Sequence, residues 1–271
     1  MLKVHWYEGD ASFGQKALET AQAGLKSIRS FISLDLEQPI EIFIYTNADD
    51  LQSALVPGQE SWIAGHADPE LGIIQVLIEP GPQQAIVMEQ RIPHELMHVM
   101  LYRRVGPGYQ NLPGWLREGM ATMAEMYPNP DYERVLKEAV TSNALLPLQD
   151  LCVSFPEDMP QAFLAYAESR SFTSYLYETY GSSGLQSLAA AYADGMACEH
   201  GTERTFGISL SNLEQKWSSS LQSENSFLPA LQNISPYLVL LCLVLIIPLI
   251  GVAGTLRKKG SHHGSGTEIT R

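Results

Sequence analysis

The chain has 271 residues, of which 17 are Lys or Arg and 30 are Asp or Glu, so its formal net charge is -13. Such an acidic chain argues against nucleic acid as a partner, because binding to polyphosphate needs an excess of positive charge. Hydrophobic residues make up 45% of the sequence, enough to bury a sizeable core. The three cysteines contain no C-x-x-C pair, which argues against a thiolate zinc site.

The first part of the chain mixes strand and helix patterns. The opening residues read as a strand that runs into a loop, and apolar residues then recur at helical spacing over 11–33. Alternating isoleucines predict a strand over 39–46, and an apolar run closed by Pro80 predicts a second strand over 71–80. The part of this run at 72–78 is expected to form the edge of a sheet, where a bound peptide adds as an extra strand.

The rest of the chain is predominantly helical. A helical region is predicted from about 83 to 104, in which Pro93 either starts a fresh helix or kinks one because it lacks an amide N–H. Further helices are predicted near 115–126, 131–141, 160–180, 183–198 and 209–222. Because strands come first and helices follow, the expected fold class is α+β, with a small N-terminal sheet and a helical C-terminal half.

The predicted helix over 83–104 contains the sequence HELMH. His94 and His98 are four residues apart, so they share a helix face and can reach one metal ion, with Glu95 beside them. A catalytic zinc site needs three protein ligands and an open position, so two histidines are insufficient. The third ligand is expected downstream, in a helix that can return alongside the first.

The segment WLREGMATMAEM supplies this third candidate. Glu118 follows His98 after a Gly/Pro-rich loop and can complete a set of two histidines and one glutamate. Glu125 lies seven residues further, on the same helix face as Glu118. It is therefore expected to accept a hydrogen bond from a liganding imidazole, a supporting contact that zinc sites usually need.

The combination of HELMH with WLREGMATMAE resembles the gluzincin metallopeptidases, and its second part is similar to the WLNEGFA…E segment of the aminopeptidase N family. The gap before Glu118 is similar to that in thermolysin. The WYEG start at 6–9, the IEIFIY strand and the LPxWLxEG loop resemble the bacterial peptidase-MA-like group over roughly residues 1–220. The resemblance implies a zincin-like catalytic domain with a small N-terminal mixed sheet, zinc held by His94, His98 and Glu118, and Glu95 as general base.

A second segment extends the resemblance. AYAESRSFTSYL, at 165–176, resembles the YEKGxxxxxYL segment of the aminopeptidase N family and implies that Tyr166 stabilises the transition state. A tyrosine packed within a helix is the alternative. The chain lacks the GxMEN segment of that family, so its exopeptidase specificity does not carry over. His66 could line the cleft, although a histidine before a strand is more often a surface or loop residue.

The C-terminal part of the chain predicts a membrane anchor. Residues 237–256 carry no charge and as a helix would span ~30 Å, the thickness of a bilayer core. A buried core helix is the alternative. The expected organisation is a catalytic domain over 1–221, a linker over 222–236, a transmembrane helix over 237–256 and a polar tail over 257–271.

The location of the domain is less well determined by the sequence. The cations Arg257, Lys258 and Lys259 directly follow the apolar segment and favour a single-pass protein whose catalytic domain lies outside the cytoplasm. The residues MLKVHWYEGD do not form a signal peptide. Either the chain lacks its true start, which is the favoured alternative, or it is tail-anchored with a cytoplasmic domain. Outside the cytoplasm Cys152 and Cys198 could form a disulfide; otherwise both are free buried thiols.

The function predicted from these patterns is a membrane-anchored zinc metallopeptidase that hydrolyses peptides or proteins with a zinc-activated water. The alternative is a non-catalytic, zinc-stabilised binding module displayed at the membrane. Glu95 separates the two hypotheses, because a purely structural metal site needs ligands but no general base. In either case the expected cofactor is Zn²⁺, and the lipid bilayer is an expected partner.

Overall fold

The computed structural model describes residues 1–32, 34, 38–55, 64–222, 236, 237 and 239–244. The chain divides into two units, Met1–Ser219 and Ser220–Arg271. Within the described part of the chain, no helix is both long and apolar enough to cross a bilayer. Most of the predicted span over 237–256 and all of the predicted tail lie outside that part, so the bounds of anchor and tail stay predictions.

The first unit begins with a small mixed sheet. Its strands are β1 (Leu2–Trp6), β2 (Ile40–Tyr45), β3 (Gly65–Asp68) and β4 (Ile73–Leu77). Their order in the sheet is β1-β2-β4-β3, in which β1, β2 and β4 are parallel and β3 runs antiparallel to β4. The predicted α+β class with a small N-terminal mixed sheet is therefore confirmed.

One face of the sheet packs against helices. Ile42 and Ile44 of β2 and Ile74 and Val76 of β4 are buried, while the residues between them are half-buried, as the alternation of a strand requires. Helices α1 (Ala11–Ile28) and α3 (Gln84–Val105) contact each other, and α3 also contacts β3 and β4. The short helix α2 (Ala48–Ala54), which the sequence analysis did not predict, lies between β2 and β3 in the chain.

The prediction of the sheet edge is wrong. Strand β4, which covers most of the segment 72–78, is hydrogen-bonded on both sides, by β2 and by β3. The edge strand beside α3 is β3, whose four residues are all half-buried. A strand this short with no alternation between buried and exposed residues gives no periodic signal in the sequence.

The second half of the first unit is helical. After a 3₁₀ turn at Gly106–Asn111 come α4 (Gly114–Ala124), α5 (Asp131–Ser142), α6 (Met159–Ala193) and α7 (Cys198–Phe206). Gly181 interrupts α6 with φ 71°, so the helix predicted over 160–180 and most of that over 183–198 lie in one interrupted element. The prediction for 183–198 runs too far, because the helix ends at Ala193 and α7 begins only at Cys198.

Helices α4 and α6 approach each other closely at Gly119. A Cβ atom at this position would collide with the Thr173 hydroxyl and the Ser169 carbonyl of α6. One turn earlier, the indole of Trp115 is fully buried against the Phe172 ring, with 5.0 Å between the ring centroids. The absence of a side chain at Gly119 thus allows α4 to lie directly on α6, which places the neighbouring Glu118 close to that helix.

The structure joins Cys152 and Cys198 in a disulfide, with 6.1 Å between their Cα atoms. Of the two alternatives left open by the sequence, the bridge is the one present. It connects the 3₁₀ turn Asp150–Cys152 to the start of α7 and closes a loop of 46 residues. Closing a loop of this size stabilises a fold by roughly 4 kcal/mol in the chain-entropy model.

Helix α6 also carries a buried carboxyl group away from the histidines. Glu168 is fully buried, and its Oε1 accepts a hydrogen bond from the Leu146 amide at 3.0 Å. Its Oε2 is buried without a hydrogen-bond partner among the described residues. Burial raises the pKa of Glu168 to about 8, from 4.5 for an ordinary Glu.

We expect Glu168 to make the stability of the fold depend on pH. Between pH 4.5 and about 8 the folded carboxyl binds a proton that the unfolded chain does not, so the free energy of unfolding falls as pH rises. The change Glu168→Gln keeps the oxygen acceptor for Leu146 and removes the titration. The difference between the Tm of Glu168→Gln and the Tm of the parent should therefore increase from pH 5 to pH 8. The control Glu178→Gln, at an exposed position of α6, should show no such trend. A difference in Tm that is constant with pH would contradict this.

Candidate metal centre

The HELMH sequence lies in the middle of α3, and Glu118 lies in α4. The rings of His94 and His98 are 5.2 Å apart between centroids. The Glu118 Oε2 is 3.4 Å from His94 Nε2 and 3.6 Å from His98 Nε2. One ligand atom from each of the three residues lies within 4.8 Å of the other two, so the three could hold one metal ion. The structure thus brings the predicted ligands together.

The remaining nitrogen of each imidazole also has a partner. His94 Nδ1 lies 3.1 Å from Glu125 Oε1, and His98 Nδ1 lies 2.9 Å from the Tyr109 hydroxyl. With protons on both Nδ1 atoms, the two histidines donate to these oxygens and present Nε2 to Glu118. The donor set thus consists of two imidazoles, each held by an outer partner, and one carboxylate. Such a set suits zinc and leaves a coordination position open.

The charges of the cluster are strongly coupled. Burial lowers the pKa of His94, but hydrogen bonds to Glu118 and Glu125 outweigh burial and raise this pKa well above 6.5. Burial raises the pKa of Glu118, but the charge of His98 and hydrogen bonds from both imidazoles lower it well below its usual range. The ligand set therefore favours an imidazolium next to a carboxylate. A metal ion must displace the His94 proton, so metal affinity is expected to rise with pH.

A proline positions Glu125 beside His94. Helix α3 continues through Pro93, which lacks the amide N–H that would bond to the Glu89 carbonyl four residues earlier. That carbonyl instead accepts a hydrogen bond from the Met126 amide at 2.9 Å. Since Met126 directly follows Glu125, this bond fixes the chain at the end of α4 against α3.

The predicted general base lies under the edge strand. Glu95 is buried, with 6% of its surface exposed, and burial raises the pKa of its carboxyl group. A Cβ atom at Gly65, the first residue of β3, would collide with the Glu95 Oε1. A glycine at this position therefore allows the carboxyl group to lie directly beside β3.

Two cavities meet at the candidate site. The first, of about 260 Å³, is lined on one side by Tyr132, Met159 and Phe163. The second, of about 320 Å³, is lined on the other side by His66, Ala67, Tyr109, Gln110 and Arg117. The residues common to both are Gly65, His94, Glu95 and Tyr166. The two cavities together form a cleft that crosses the site beneath β3, and His66 lines it as the sequence analysis considered.

Tyr166 lies beside the ligand set. Its ring centroid is 6.2 Å from that of His94 and 4.9 Å from that of Phe155. Burial raises the pKa of its hydroxyl well above 10, so the group stays protonated and can donate a hydrogen bond. The structure places Tyr166 where the cavities meet, and its role in stabilising a transition state stays a prediction.

Several residues of the cleft were not predicted from the sequence, among them Tyr109 and Arg117. Tyr109 lies in the 3₁₀ turn within the Gly/Pro-rich loop, where no periodic pattern distinguishes a side chain that points inward. Arg117 directly precedes a predicted ligand but belongs to no ligand pattern. The only signal available for either residue is its place between the HELMH helix and Glu118.

Comparison with known protein families identifies the chain. A family model described as the Peptidase MA superfamily matches residues 20–223. This match covers well over half of the chain, and the chain belongs to that superfamily. The assignment supports a zincin-like peptidase of the metallo type, acting on peptide or protein substrates. No curated protein matches the chain.

The hydrogen bond from His98 to Tyr109 should contribute to metal affinity. Removing the hydroxyl with Tyr109→Phe leaves His98 Nδ1 without its partner, and metal affinity should fall by about tenfold or more. Competition with a chelator of known affinity measures this change. Tyr102→Phe is the matched control, because its ring lies 6.0 Å from that of Tyr109 but its hydroxyl is not a partner of His98. Equal affinity in the parent and Tyr109→Phe would contradict the assigned contact.

Proposed function

We propose that the chain is a zinc metallopeptidase of the gluzincin type that hydrolyses peptide bonds. The observation that carries this proposal is the convergence of His94, His98 and Glu118 in one cleft with the buried carboxyl of Glu95. Imidazole and carboxylate donors in a set of three match the catalytic rather than the structural type of zinc site.

The roles of the protein groups follow from their positions. Bound zinc supplies Lewis acidity, which polarises the substrate carbonyl and lowers the pKa of the attacking water. Glu95 accepts the proton of that water and delivers it to the amine that leaves. Tyr166 donates its hydroxyl hydrogen to the oxyanion as it forms.

The free edge of β3 supports the binding of a peptide substrate as an additional strand. β3 pairs with β4 on one side only among the described residues, and its residues Gly65 and Ala67 line the cleft. A peptide that adds to the free edge of β3 would gain backbone hydrogen bonds with little demand on sequence. Its scissile carbonyl would then lie above the two histidines.

The alternative is a non-catalytic binding module stabilised by zinc. A structural zinc site closes all four coordination positions with protein ligands. The described residues provide a set of three, with Glu95 in the same cleft and two cavities large enough for side chains. These features favour the enzyme.

The change Glu95→Gln tests the proposed chemistry. It keeps the size of the side chain but removes the base, so peptide hydrolysis should fall by at least about 100-fold while the zinc content stays near one per chain. Glu118→Gln should instead weaken zinc binding. Hydrolysis and elemental analysis on the same purified protein separate the two effects. Unchanged turnover of zinc-loaded Glu95→Gln, or full zinc occupancy after His94→Ala with His98→Ala, would overturn the proposal.

The change Tyr166→Phe tests the proposed oxyanion donor. Loss of one donor in the transition state should lower kcat by about 100-fold with little change in KM. Tyr132→Phe removes a hydroxyl from the first cavity only and should have a smaller effect on kcat. If Tyr166→Phe changes only KM, Tyr166 binds substrate and does not stabilise the oxyanion.

We also propose that residues 237–256 anchor the chain in a membrane with the catalytic domain outside the cytoplasm. The uncharged segment and the cations directly after it support this orientation. The disulfide between Cys152 and Cys198 supports it independently, because such bridges persist in oxidising compartments.

Protease treatment of intact cells that express the complete gene product tests this orientation. Digestion of the domain without lysis is the expected result, and alkylation of free thiols should leave Cys152 and Cys198 unmodified. A domain that resists protease until the cells are lysed would show a cytoplasmic, tail-anchored protein instead.

A further inference from the structure

The second cavity contains a positively charged residue next to the metal ligands. Arg117 lines this cavity together with His66, Tyr109 and Gln110. It directly precedes Glu118 in α4, so its backbone is fixed by the same helix that holds a ligand. The cavity borders Glu95 and Tyr166, which places Arg117 within reach of a substrate whose scissile bond lies at the metal.

The guanidinium of Arg117 has no anionic partner in the described part of the chain. It forms no ion pair and no side-chain hydrogen bond there, and its Nε is buried without an acceptor. Its Cζ lies 5.6 Å from the centroid of the Tyr109 ring, so the guanidinium makes a cation–π contact with the face of that ring. Among the other buried or half-buried arginines, Arg91 donates to the Leu77 carbonyl and Arg103 to the Pro39 carbonyl. The Nε of Arg170, in contrast, is buried without an acceptor among the described residues, like that of Arg117.

A guanidinium in this setting is suited to bind an anion. Of the guanidinium nitrogens, Nε alone is buried without an acceptor among the described residues, so the two terminal nitrogens of this cavity-lining side chain are accessible to a ligand that provides oxygen atoms. The planar guanidinium matches the geometry of a carboxylate, with two parallel hydrogen bonds. Stacking on the Tyr109 ring restricts the side chain before any ligand arrives, so less conformational entropy is lost on binding.

We propose that Arg117 determines substrate specificity by binding a carboxylate of the peptide in the second cavity, a proposal that rests on the peptidase function above. The substrate class is therefore peptides with a carboxylate close to the scissile bond. The first cavity, whose lining combines Tyr132, Met159 and Phe163 with polar residues that include Arg91, has room for a large side chain on the other side of that bond. The carboxylate comes either from an Asp or Glu side chain or from the C-terminus of the peptide.

Matched peptide pairs test this specificity on the zinc-loaded full chain. Each peptide carries Phe on one side of the scissile bond and differs from its partner in one group. The three pairs compare Glu with Gln before the bond, Glu with Gln after it, and a free C-terminus with its amide. We expect one pair to show a kcat/KM about 10- to 100-fold higher for the carboxylate member. The pair that shows it identifies the source of the carboxylate.

The preference should depend on the charge at Arg117. In Arg117→Gln the ratio of kcat/KM within that pair should fall to near one, and Arg117→Lys should retain part of it. Arg104→Gln is the control, because it removes the same charge from an exposed position near the end of α3. The absence of any preference in the parent, or an unchanged ratio in Arg117→Gln, would overturn the proposal.

A binding measurement separates this proposal from the proposed catalysis. Calorimetry with zinc-loaded Glu95→Gln protein measures the affinity for the same peptides without turnover. The carboxylate peptide should bind more tightly than its partner, and adding Arg117→Gln should abolish the difference. If no peptide is hydrolysed by the parent but this difference is present, the peptidase function fails and the carboxylate site stands. If both peptides bind equally well, the proposed carboxylate site is overturned and the proposed peptidase function is not affected.

Discussion

The hydrogen bond from the Met126 amide to the Glu89 carbonyl connects the two helices that form the candidate metal centre. It exists because Pro93 cannot donate to that carbonyl, so an acceptor inside α3 is available to another segment. The helix loses one internal bond and gains a fixed contact with the end of α4. Since Glu125 directly precedes Met126, the bond also determines where the partner of His94 lies. A residue that weakens an isolated helix thus helps to position the partner of a candidate metal ligand.

The second constraint is the burial of charge. Glu118 and His94 are partly shielded from water. The charged form of Glu118 is favoured by His98 and His94, and that of His94 by Glu118 and Glu125. Their approach requires α4 to lie against both α3 and α6, and Gly119 permits the second of these contacts. A larger side chain at Gly119 would therefore disturb the ligand set without touching a ligand. The packing of the helical half and the chemistry of the cleft depend on the same small residue.

The sequence predicts the convergence of the candidate ligands better than it predicts their surroundings. His94 and His98 follow from the geometry of one helix, and Glu118 needs only a loop long enough for a second helix to return. Strand β3 and the contact of Tyr109 depend on how short segments without a repeating pattern pair with their neighbours, which local periodicity does not encode. The same reason explains the wrong assignment of β4 as the edge. Its apolar residues predict a strand but do not reveal how many neighbours that strand has.

The different partners of the two histidines have a chemical consequence. His94 is held by a carboxylate, whereas His98 is held by the hydroxyl of Tyr109, whose pKa burial raises, so that it stays neutral. The face of the same Tyr109 ring contacts the Arg117 guanidinium. A carboxylate in place of Tyr109 could also hold His98, but it would pair with the Arg117 guanidinium and occupy its donors. A phenol orients the candidate ligand His98 and leaves the guanidinium available, so the support of the candidate metal centre and the proposed recognition of a carboxylate depend on one side chain.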